Sequence, residues 1–307
     1  MNLATQYILF SGLILGSIPG TVFWPYFAGI VILAIGIFTG GKEALRARGA
    51  DKILAFAPLF FALPMAVFAS QHFTEAKFVA TLVPRWLPKH LFWTYFIGAA
   101  IIAASISIVT KIQGRLAGIL LGGTLILFEL FLHIPAILAH PKNLILWSIA
   151  LRDLAFSGGA LAFAATLTGT GKAERTNILG TLARFFISVP AIFFGVQHFL
   201  HPKFMPGVDF DRSVPAHIAG HVFWSYFAGT VFLVAGLSLL ANWRTRFAAT
   251  CLGMMALLLI LFVYLPILVG SPSDINDGLN FLVSTLAFSG AALLLAKATP
   301  RTNRIPA

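Results

Sequence analysis

Residues 195–229, GVQHFLHPKFMPGVDFDRSVPAHIAGHVFWSYFAG, decide how this chain folds. An apolar run ends at Gln197-His198-Phe199, a polar loop follows, and His221 opens a second apolar run carrying Phe223-Trp224, Tyr226-Phe227 and Gly229. The same signature occurs earlier, with Gln71-His72-Phe73, a loop, then His90, Phe92-Trp93, Tyr95-Phe96 and Gly98. A third echo without histidines is Phe23-Trp24-Pro25-Tyr26-Phe27-Ala28-Gly29. Apolar runs of this length cross a bilayer as helices, because only a helix satisfies its own backbone in lipid. The signature therefore reads as a pair of antiparallel membrane helices joined by a polar loop.

Composition agrees. The chain has 307 residues, 59% of them hydrophobic and only 10% charged, against roughly 25% charged in soluble domains. The net charge of +11 sits in short clusters between apolar runs, with no extended basic face for nucleic acid. The single cysteine, Cys251, lies in an apolar run, which leaves no intrachain disulfide and reads as a small packing residue. The N-terminus lacks the pattern of a cleaved signal peptide.

Working outward, the apolar pattern predicts an all-α membrane protein of about ten helices, over 5–19, 22–40, 53–72, 90–110, 115–138, 145–167, 182–200, 221–241, 246–270 and 278–297. The first is short and turns at Pro19-Gly20. The expected organisation is an N-terminal hairpin over 1–45 and two parallel four-helix bundles over 53–167 and 182–297. Pro64 and His72 correspond to Pro190 and His198 at a spacing of 126, and His90 and Pro135 to His221 and Pro266 at 131. Leu154-Ala155-Phe156-Ser157-Gly158 matches Leu286-Ala287-Phe288-Ser289-Gly290 at 132. Matches in one order and near-constant register mark an internal repeat. An even helix count per unit predicts a pseudo-two-fold axis along the membrane normal. Pro64 and Pro190 predict matching kinks.

Of the 21 Lys and Arg residues, 14 fall at one set of loops and 7 at the other. The positive-inside rule then places both termini in the cytoplasm, in a plasma membrane of bacterial type, and all eight histidines on or toward the outer side.

The four-helix unit, with Gln-His-Phe closing one helix and His-x-Phe-Trp-x-Tyr-Phe-x-Gly opening the next, resembles the DoxX/DoxD-like family of small membrane proteins. The resemblance covers residues 53–167 and 182–297 separately; the tandem arrangement and the extra hairpin depart from the family pattern. It implies a small subunit of a membrane redox complex, linked to quinone-coupled oxidation.

Three groups of residues can carry chemistry. Glu129 lies about nine residues below the outer end of its helix, roughly 13 Å at 1.5 Å per residue. Arg152 and Asp153 reach nearly the same depth on the next helix, and His133 lies four residues from Glu129. A charge at that depth must be paired or hydrated, which predicts a Glu129–Arg152 ion pair with Asp153 and His133 beside it. The second unit has Ile260, Ser284, Thr285 and Tyr264 at these places, so every charge is absent together. The cluster reads as a polar clamp between helices or as a proton-relay or headgroup site. Second, His72 with His90 and His198 with His221, flanked by Gln71 and Gln197, stand at helix ends. They cap those ends, or serve as haem or quinone ligands; no metal motif is present. Third, the Phe-Trp-x-Tyr-Phe blocks read as an interfacial aromatic belt, or as a quinone-binding wall. Two functions follow: a quinone-linked redox or proton-handling subunit, or a small-molecule transporter or assembly factor.

Overall fold

The computed structural model describes residues 19–167, 178–204, 207–208 and 220–300. Among these residues there is no strand, and nine helices are long and apolar enough to cross a membrane. They are α1 (Gly20–Arg46), α2 (Asp51–Thr74), α3 (His90–Thr110), α4 (Gly114–Ala139), α5 (Leu144–Thr166), α6 (Ile178–Leu200), α7 (His221–Leu240), α8 (Thr245–Gly270) and α9 (Asn280–Ala298). The segment expected at 5–19 lies outside the described residues. Each remaining helix falls where its apolar run predicts. The protein is thus an all-α, multi-pass membrane protein.

Consecutive helices alternate in direction, which gathers His72, His90, His133, His198 and His221 at one end of the molecule, the histidine end. The opposite end is closed by ionic ties. Glu43 of α1 holds Lys111 at 2.7 Å and Lys297 of α9 at 2.5 Å. Arg246 of α8 reaches Asp51 at 2.7 Å and donates to the carbonyls of Ala296 and Thr299 at the end of α9. Arg184 of α6 donates to the carbonyls of Leu239 and Leu240 that α7 leaves open.

Small residues set the helix contacts. A Cβ on Gly98 would lie 2.7 Å from the Cβ of His72, and one on Gly229 would lie 2.8 Å from the Cβ of His198. The glycine that closes each aromatic block is therefore the place where α3 meets α2 and α7 meets α6. In the same pairs Phe73 stacks on Tyr95 at 5.8 Å and Phe199 on Tyr226 at 5.7 Å. Other rings of the blocks point outward, with Trp24, Phe92 and Phe223 all more than half exposed, as lipid-facing rings should be. Ser157 of α5 donates to the Gly122 carbonyl of α4, and Ser289 of α9 to the Gly253 carbonyl of α8, both at 2.9 Å.

The two four-helix sets interlock more closely than two separate bundles would. α5 packs against α6 and α9, while α9 packs against α2 and α5. At the crossings a Cβ on Gly158 would press on Phe186 and Ile187 of α6, and one on Gly290 would press on Phe60 and Phe61 of α2. A reciprocal amide pair joins Gln71 of α2 to Asn280 of α9, Nε2 to Oδ1 at 2.6 Å. α1 packs on α2 and α3. It covers α2, whereas α6 keeps Leu182, Phe185, Val189 and Val196 exposed.

α2 and α6 stay helical through Pro64 and Pro190. α4 contains a π turn at Glu129–His133 and α8 one at Ile260–Tyr264, each closed by a backbone bond to its first carbonyl. Pro135 and Pro266 stand two residues beyond. A proline cannot donate to the carbonyl four residues back and its ring crowds that carbonyl; one wider turn accommodates both constraints.

Candidate functional site

The charges of the first set converge where α4 widens. The π turn carries Glu129 and His133, and the facing turn of α5 carries Arg152 and Asp153. Asp153 is the hub: its Oδ2 lies 3.2 Å from His133 Nε2, and its Oδ1 accepts from Arg152 Nε at 3.0 Å. All three side chains are between 16% and 20% exposed, which removes most but not all of their water. The Arg152 guanidinium also lies 6.0 Å from the centre of the Phe68 ring on α2 and 5.8 Å from that of Phe156 on its own helix, within reach of a cation–π attraction.

The expected Glu129–Arg152 ion pair is not formed. Arg152 pairs with Asp153, its chain neighbour, and Glu129 Oε1 is buried without a hydrogen-bond partner. The four residues named from the sequence do come together, in a different pairing.

The helix-end histidines separate into distinct roles. His198 is fully buried; its Nδ1 bonds to the Phe194 carbonyl and its Nε2 accepts the Gly207 amide hydrogen at 2.9 Å. Both ring nitrogens are occupied within the chain, so the ligand role expected of His198 gives way to a structural one. His72 makes the corresponding bond, Nδ1 to the Phe68 carbonyl at 3.1 Å, and its Nε2 has no partner among the described residues. His90 and His221 start α3 and α7 and make no side-chain hydrogen bond among the described residues. Neither pair, His72 with His90 or His198 with His221, is joined by a hydrogen bond. No group of three or more His, Cys, Asp or Glu among the described residues is placed to hold a metal ion. Gln71 is engaged by Asn280, whereas Gln197 Oε1 and Ser148 Oγ are buried without partners.

Sequence reasoning missed the loop that closes the second set. Gly207 and the fully buried Val208 enter the helix bundle there. A Cβ on Gly207 would clash with the Tyr264 hydroxyl and lie 3.1 Å from Thr285 Oγ1, so only glycine fits. The five extra residues between His198 and His221, compared with His72 to His90, were the available signal.

An apolar groove of about 720 Å³ runs between α1, α2 and α3, lined by Trp24, Phe27, Ala66, Phe73 and Ile102 among others. None of the charged residues borders it, so it is separate from the polar cluster. Comparison of the chain with protein-family models, with curated proteins and with solved structures finds no match.

Proposed function

We propose that this membrane protein binds a small polar head group at the histidine end of its first four-helix set and exchanges a proton with it through Glu129, as a quinone-linked subunit of a membrane redox complex. The observation that carries the reading is the Glu129 carboxyl: one oxygen is buried and unpartnered, while Asp153 takes the available His133 and Arg152 donors. An ionisable group left so at membrane depth is a functional candidate by default, and π turns are frequent at functional sites. His133, Asp153 and Arg152 act as the frame that positions the head group. Electrons would pass to a partner subunit; this chain supplies binding and the proton path. The reading is supported further by the resemblance of each four-helix set to DoxX/DoxD-like proteins and by the lack of charge at Ile260, Tyr264, Ser284 and Thr285, which fits a duplicated chain with one working site. The charge bias of the loops favours placing this site toward the outer side.

The test is a titration of the purified, full-length protein with a short-chain benzoquinol in weakly buffered solution containing a pH indicator. The wild type should bind it with proton exchange; Glu129→Gln should bind with exchange reduced at least about tenfold and an unchanged thermal transition. Absence of binding, or exchange that survives Glu129→Gln, rejects the proposal. The π turns in α4 and α8 favour one second reading, a transporter whose interrupted helices line a passage; uptake into proteoliposomes distinguishes it.

A further inference from the structure

We infer that His72 completes the site in the first helix set, accepting a hydrogen bond at Nε2 from a neutral ligand that carries a hydroxyl or N–H donor, and that the Gly207 backbone occupies the corresponding place in the second set. The inference rests on the head-group reading above and names the chemistry that the head group must present.

Three matched contacts place the residues. Phe68 of α2 stacks on Phe156 of α5 at 6.3 Å, and Phe194 of α6 meets Phe288 of α9 at 6.4 Å. α2 and α5 run in opposite directions, so one turn further toward the histidine end His72 stands opposite Arg152 and Asp153. By the same geometry His198 stands opposite Ser284 and Thr285. The Gly98–His72 and Gly229–His198 contacts hold α2 on α3 and α6 on α7 alike. The Ser157–Gly122 and Ser289–Gly253 bonds hold α4 on α5 and α8 on α9 alike.

The second set shows what such a place accepts. His198, fixed as the Nδ1–H tautomer by the Phe194 carbonyl, receives a neutral N–H donor from Gly207, which lies against Tyr264 and Thr285. The first set has His72 fixed in the same tautomer by the Phe68 carbonyl, with His133 and Asp153 at the positions of Tyr264 and Thr285. Its connecting segment is five residues shorter, and no described residue donates to His72 Nε2. Nε2 in this tautomer is an acceptor only, and the orphaned Glu129 oxygen stands on α4, which packs on α5. A ligand that fits must therefore donate, and a ligand with acceptors alone leaves the imidazole unsatisfied.

The experiment compares hydroquinone with 1,4-dimethoxybenzene, the same ring without a donor, on purified full-length protein labelled with ¹⁵N-histidine. Hydroquinone should bind about tenfold more tightly, the worth of one good hydrogen bond, and should shift one Nε2 resonance that is missing in His72→Phe. His72→Phe should abolish the preference and His72→Gln, which keeps an acceptor oxygen, should restore part of it. If His72→Phe loses its sharp thermal transition, the wild-type resonance decides: no shift at Nε2 overturns the inference. Equal binding of the two compounds, or a preference that survives in His72→Phe, also overturns it while leaving the head-group reading intact. Binding of neither compound rejects both.

Discussion

Asp153 holds the charged cluster together, and the consequences of removing it follow from what it satisfies. It is the carboxylate partner of His133 and of Arg152 Nε, and taking one member out of such a buried polar contact costs several kcal/mol. Asp153→Asn should therefore lower stability by about 3 kcal/mol, read as a lower midpoint of thermal unfolding in detergent. The triple change His133→Tyr, Arg152→Ser, Asp153→Thr installs the residues found at 264, 284 and 285 and removes the charges together. It should recover most of that loss, since the groups that Asp153 satisfies are removed with it. A triple variant no more stable than Asp153→Asn would contradict the ion-pair account. Glu129 differs in kind: it has no partner to lose, so Glu129→Gln should leave the midpoint within about 0.5 kcal/mol of wild type. The composition of the cluster was legible from depth in the helices; its pairing was not, because depth leaves open which neighbouring side chain each group faces.

Among the helices, contact is governed by a few glycines whose hydrogens face a neighbour. Gly98 and Gly229 each lie against a histidine Cβ, and Gly195 faces the Leu233 backbone at 2.6 Å from where a Cβ would sit. In lipid the drive for association comes from close packing, so Gly98→Val or Gly229→Val should cost about 1–3 kcal/mol by forcing the pair apart. Gly123, on α4, is different, because a Cβ placed there would meet nothing within 4 Å. Gly123→Ala should therefore be neutral or stabilising by up to about 1 kcal/mol through helix propensity. Equal effects at Gly98 and Gly123, by thermal unfolding, would remove the packing role assigned to the aromatic-block glycine. The histidine signature that first identifies the helix pairs is thus in large part a packing device: glycine against histidine, tyrosine against phenylalanine. α2 and α6 stay helical through Pro64 and Pro190, while Pro135 and Pro266 lie beside the π turns.

The molecule as a whole is tied across its two sets. α9 is largely buried between α2 and α5, and α5 passes on to α6. The Gln71–Asn280 amide pair, 209 residues apart in sequence, marks the crossing. A Gln71→Cys, Asn280→Cys pair in a Cys251→Ser background should form a disulfide on mild oxidation. With a protease site engineered between residues 167 and 178, cleaved protein should then run as one band without reductant and as two with it. Two bands under both conditions would place α9 away from α2. By itself the sequence determined the membrane class, the helix boundaries and the gathering of histidines at one end, because these depend on local hydropathy and on alternation of direction along the chain. It also located the four ionisable residues of the first set. Which carboxylate takes the arginine, which histidine is already satisfied, and how α5 and α9 cross were decided only in three dimensions. Hydropathy is blind to them: a hydrogen bond or a glycine contact depends on which face of each helix meets its neighbour, and bilayer insertion leaves that rotation undetermined.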